Sequence, residues 1–106
     1  MSTFEKELVF NLESSIEYTQ GGIISKQITK NKGGNLTLFS FDKDQGLSEH
    51  KTPYDAIVQI LDGEAEITID GKLYCLKKDD VIIMPANIPH ALKAIERFKM
   101  LLIMIQ

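Results

Sequence analysis

Cysteine is nearly missing from this chain: Cys75 is the only one in 106 residues. A lone thiol closes no intramolecular disulfide, which excludes a disulfide-stapled scaffold and agrees with a reducing, cytoplasmic setting. Its position between Tyr74 and Leu76 reads as a small hydrophobe packed into a strand. Basic residues are not in surplus either, since 12 Lys and Arg stand against 15 Asp and Glu for a formal net charge of −3. Binding phosphates needs a cationic patch, so no nucleic-acid partner is expected. Lys26, Lys30 and Lys32 beside a Gly-rich turn read as a solvated edge. Long apolar runs are also lacking. None approaches the ~18 residues that cross a bilayer, and Glu5, Lys6 and Glu7 interrupt the place where a signal peptide would be apolar. No membrane partner is expected.

What is present is enough for one core. Apolar residues make up 43% of the chain, too many for a chain of low net charge to stay disordered. The expectation is one domain over residues 1–106, with an N-terminal extension at 1–22 and a motif-bearing barrel at 36–105. Short β-rich segments punctuated by turn residues dominate. Residues 54–61 end at Asp62-Gly63, residues 64–69 alternate cleanly and end at Asp70-Gly71, and residues 72–76 begin at once. Asp-Gly suits a type I′ turn, so three antiparallel strands joined by two tight hairpins are predicted. Further strands are expected at 23–29, 36–41, 81–84, 90–95 and 98–105, with a turn over 44–47 after which His50 opens a strand. The helical signals are slight: capping-box spacing between Ser2 and Glu5, and one turn over 12–16. About eight short strands predict an all-β, antiparallel jelly-roll barrel, which removes exposed edges. Several strands are apolar on both faces, notably 36–41, 57–61 and 100–105. One face must line the barrel while the other meets a second layer or another subunit, and a homodimer is the economical reading.

Only two histidines are available. His90 follows the rigid segment Pro85-Ala86-Asn87-Ile88-Pro89, and His50 precedes Thr52 and Ala56. The spacing of these residues resembles the cupin superfamily over residues 36–105. The family's first motif is a Gly, five residues, His-x-His, three or four residues, Glu, six residues and Gly, and here it falls on Asp44, His50, Thr52, Ala56 and Gly63. The second motif is a Gly, five residues, Pro-x-Gly, two residues, His, three residues and Asn. It falls on Asp79, Pro85, Asn87, His90 and Ala94. The resemblance implies a double-stranded β-helix with a pocket at His50, Thr52, Ala56 and His90.

The departures from that pattern are of two kinds. Asp44, Asp79 and Asn87 stand at glycine positions, and Asp and Asn best tolerate positive φ after glycine, so the turns should survive. Thr52 and Ala56 replace a histidine and a glutamate that hold metal in metal-binding relatives. Only His50 and His90 then remain as metal ligands, enough for weak binding of zinc, copper, nickel, iron or manganese but short of a complete site. Gln59 lies at odd spacing from Ala56 and turns to the opposite face, Asp55 falls in a turn, and Glu49 points away from His50. Tyr54 and Cys75 are candidate wall residues. No nucleophile elbow or phosphate-cradling loop is present, and no catalytic residue is assigned. The expectation is a small-molecule binding domain with a two-histidine pocket. The alternatives are a metal-dependent enzyme of oxygenase or isomerase type completed by water or substrate, and a metal-free enzyme using a histidine as acid or base.

Overall fold

The computed structural model describes residues 4–106. Nine strands follow one short 3-10 turn, Glu13–Ser15: β1 (Ile23–Asn31), β2 (Gly34–Phe41), β3 (Gly46–His50), β4 (Asp55–Asp62), β5 (Glu64–Ile69), β6 (Lys72–Lys77), β7 (Val81–Met84), β8 (His90–Ala94) and β9 (Phe98–Ile105). They form a five-stranded sheet in the order β1-β2-β9-β4-β7 and a four-stranded sheet in the order β3-β8-β5-β6. Every ladder is antiparallel. The fold is the jelly-roll barrel that the strand pattern predicts. The expected turn over 12–16 is present as the 3-10 turn, while the Ser2–Glu5 spacing begins outside the described residues. No helix among the described residues is long and apolar enough to cross a membrane.

Alternation decides what the sheets enclose. Along β4, Ala56, Val58 and Ile60 point inward and are buried, and Ile57 and Gln59 face out. Facing them from the other sheet are Ala65, Ile67, Leu92 and Ala94. The outer face of the five-stranded sheet has its own cluster, in which Ile16 of the N-terminal segment packs with Leu38, Leu61 and Leu101. That segment is pinned by Lys26 Nζ donating to the Ser15 carbonyl at 3.0 Å, Lys99 Nζ to the Glu13 carbonyl at 2.7 Å and Ser40 Oγ to the Glu17 carbonyl at 2.6 Å. Part of the surplus apolar surface is therefore covered from within the chain. The β7 edge of that sheet stays open: Val81 and Ile83 are 56% and 59% exposed, and Ile83 is paired with half-buried Ile57.

Three local expectations need correction. Asp70-Gly71 is the predicted hairpin tip, with both residues at positive φ between the paired β5 and β6. Asp62-Gly63 is not a hairpin. β4 and β5 belong to different sheets, and the dipeptide turns the chain from one to the other with only Gly63 at positive φ. A Cβ at Gly63 would stand 1.9 Å from the Arg97 carbonyl oxygen, so close backbone approach accounts for this glycine. The turn expected over 44–47 lies earlier, at 43–44, and β3 already spans Gly46–His50, so His50 closes that strand instead of opening one. β3 is a polar edge strand with an irregular register between Leu47 and His50, so it carries almost no alternation. Cys75 is exposed, not buried, because it sits on the outward face of edge strand β6.

Candidate functional site

The three positions where glycine gives way to Asp or Asn set the loops that carry the site. Asp44, Asp79 and Asn87 all adopt positive φ, at 70°, 74° and 65°. Each N–H then donates to the neighbouring segment: Asp44 to the Ala94 carbonyl at 2.9 Å, Asp79 to that of Ile60 at 2.8 Å, and Asn87 to that of Thr52 at 2.7 Å. The last bond ties the loop after His50 to the loop before His90. The Asp55 carboxylate strengthens the tie by accepting the Ala86 N–H at 2.9 Å.

Those loops deliver the two histidines to adjoining strand ends. His50 closes β3, His90 opens β8, and the two residues are directly paired across the ladder. Their ring centroids lie 4.4 Å apart in an edge-to-face arrangement. His90 is 3% exposed, whereas His50 is exposed at the rim. Each ring uses Nδ1 locally: that of His50 is 2.7 Å from the Ser48 carbonyl and that of His90 is 3.2 Å from the Ile88 carbonyl. A carbonyl oxygen only accepts, so both Nδ1 atoms carry a proton, and the neutral tautomer that satisfies this bond presents Nε2 as a bare lone pair. Burial, followed by the nearby His50, pushes the His90 pKa below its ordinary value, while the bond to Ile88 opposes the shift. His90 is thereby kept neutral and its lone pair preserved.

His50, Thr52, Ala56 and His90 line one cavity of about 50 Å³. Its remaining walls are apolar: Leu47 and Leu92 from the four-stranded sheet, and Met84, Met100, Leu102 and Met104 from the five-stranded sheet. The Thr52 hydroxyl is already spent, donating to the Tyr54 carbonyl at 3.1 Å and accepting the Tyr54 N–H at 3.3 Å. Ala56 offers no donor. Among the described residues no group of three His, Cys, Asp or Glu side chains could hold a metal ion. The residues present therefore do not fit a complete divalent site of histidines and a carboxylate.

Gln59 faces away from the cavity, as its spacing predicts. Tyr54 and Cys75 do not line it. Sequence reasoning passed over the methionines, whose inward parity on β7 and β9 was available, though the pairing that brings both strands beside Ala56 was not. A broader depression of about 960 Å³ lies between residues 4–10 and β1. It is open and shares no residue with the histidine cavity, which holds the only imidazoles of the chain.

Residues 37–105 match the family model described as a cupin domain. The chain is 40% identical to a conserved protein of unknown function from Streptococcus pyogenes, covering 97% of this chain and 90% of that one with a TM-score of 0.92. It is 33% identical to a cupin superfamily protein from Desulfitobacterium hafniense, with 96% and 94% covered and a TM-score of 0.89. A cupin 2 conserved barrel domain protein from Leptotrichia buccalis is 44% identical over 92% of this chain and 47% of that one, with a TM-score of 0.89. No curated protein matches the chain.

Proposed function

The chain belongs to the cupin superfamily, and from that premise we propose that it is a small-molecule binding domain whose working end is the His50–His90 pair. The observation that carries this reading is that two imidazoles with centroids 4.4 Å apart line one apolar cavity, each with Nδ1 engaged by backbone, which leaves Nε2 as the acceptor of each ring. Such a pair selects a ligand that presents O–H or N–H donors. The enclosed volume of about 50 Å³ admits only a few heavy atoms, so a small polar head enters and the rest of the ligand stays at the exposed His50 side. No catalytic residue is assigned. The same reading puts the protein in the cytoplasm, in keeping with its exposed free thiol.

A homodimer is part of the proposal. The exposed pair Val81 and Ile83, with half-buried Ile57 beside them, suits an isologous contact with a second copy. The test of the binding reading is a fragment screen followed by NMR of the two imidazoles. Binders should move both ring signals and lose affinity in His90→Ala. Binders that leave both rings unmoved would overturn it.

A further inference from the structure

The chain has two histidines and, beyond Met1, three methionines. All five line the same cavity of about 50 Å³. Their placement follows from the ladders. Ala56 is paired with Met84 on one side and with Met104 on the other, so the inner face of the sheet runs Met104, Ala56, Met84 in one row. Paired residues hold their Cβ atoms about 4.5–5.5 Å apart. The small side chain of Ala56 thus leaves space between two thioethers. Met100 shares the face, four residues from Met104 on β9.

The donors assembled here are all uncharged. No carboxylate and no thiol lines the cavity, and the two imidazoles offer only their Nε2 lone pairs. A dication buried among such groups would keep its full charge uncompensated. Hard ions seek oxygen, whereas thioethers select soft, singly charged copper and imidazole serves it equally well. We propose that Nε2 of His50 and His90, with the thioethers of Met84 and Met104, bind one Cu(I) ion. The proposal rests on the reading of the histidine cavity as the binding site and names an occupant for it. It uses methionines in place of the two ligands that Thr52 and Ala56 cannot supply.

The test is anaerobic Cu(I) titration of the untagged protein against a chromophoric Cu(I) chelator, with Zn(II) titrated in parallel. A Cys75→Ser background removes the exposed thiol as a competing ligand. The expected result is one equivalent of Cu(I), at least a hundredfold tighter than Zn(II). The Met84→Leu/Met104→Leu variant, close in volume, should lose at least tenfold in Cu(I) affinity with its Zn(II) affinity unchanged. In the natural sequence, ¹³C-methyl signals of Met84 and Met104 should shift on loading, a readout that needs no variant. Failure to take Cu(I) from the chelator, unmoved methyl signals, or full Cu(I) affinity in the double variant would overturn the proposal and leave the methionines as packing. If organic fragments still move both imidazoles in that case, the binding reading stands without copper. If neither fragments nor Cu(I) disturb the imidazoles, both fail.

Discussion

The two ends of the barrel are built from the same strands and could hardly be more different inside. Strand β9 runs inward-facing Phe98, Met100, Leu102 and Met104 from one end to the other, and β4 runs Ile60, Val58 and Ala56 beside it. At the Phe98 end the space is filled: Phe41 and Phe98 stack with centroids 4.5 Å apart, Phe39 stacks on Phe41 at 5.8 Å, and Phe41 and Phe98 are fully buried. At the Met104 end the wall is an alanine between two methionines, and the opposite wall is two histidines. Residue size decides the difference. Rigid rings complete the core at one end, and their absence leaves a cavity at the other.

The sharpest way to break this comparison is to trade volume between the ends. Phe98→Ala should destabilise the protein by about 3–5 kcal/mol in urea unfolding, because it removes a ring from a packed stack. Ala56→Val adds volume where space exists, so it should change stability by under about 1 kcal/mol. The same variant should abolish binding in the cavity. A large loss from Ala56→Val would mean that the hollow end is packed as tightly as the filled one.

The covering segment gives a smaller effect. The Tyr18 hydroxyl donates to the Asp62 carboxylate at 2.6 Å, and the ring lies under Arg97 with its guanidinium 4.4 Å from the centroid. Burial first, and then the bond to Asp62, push the Tyr18 pKa well above its ordinary value. The unfolded chain then loses this proton before the folded one, so the contribution is present below pH ~10 and fades above it. Tyr18→Phe should cost about 1 kcal/mol at neutral pH and flatten the alkaline fall in melting temperature. An unchanged alkaline slope would exclude Tyr18 as its source.

At the hollow end the dependence has the opposite sign. The His90 pKa is depressed in the folded state, so the unfolded chain binds the proton more readily as pH falls. Stability is present above pH ~6.5 and declines below it, and His90→Asn should reduce that acid loss. Melting temperatures measured from pH 8 to pH 5 check it. The proposed dimer is tested by light scattering at low micromolar concentration. The expected mass is twice the monomer's 11.9 kDa, and Ile83→Asp should return it toward the monomer. A monomer in the natural sequence would leave Val81 and Ile83 as ordinary surface.

The strand count and one of the two tight turns were largely legible in the sequence. Alternation over 64–69 and the Asp70-Gly71 turn translate directly into β5, β6 and their hairpin, because both depend on neighbours in the chain. Asp44, Asp79 and Asn87 were equally readable, since positive φ is a property of single residues. What could not be read is sheet membership. Asp62-Gly63 has the composition of a hairpin tip and yet joins two sheets, because backbone contact with Arg97, 34 residues along the chain, decides its role. The histidine pair was visible through spacing, whereas the methionine row depends on β4 lying between β7 and β9. Cys75 was misjudged for a related reason. An edge strand's outward face carries no mark in a short, mixed segment.

Ligand binding at the hollow end requires both imidazoles to hold their Nε2 lone pairs free, and long-range ¹H–¹⁵N correlation of the histidine side chains at pH 7.5 tests this most directly. In each ring the tautomer should carry its proton on Nδ1, held by the Ser48 and Ile88 carbonyls. Protonation of either ring at Nε2 in the free protein would contradict it, since that acceptor would then be occupied before any ligand arrived.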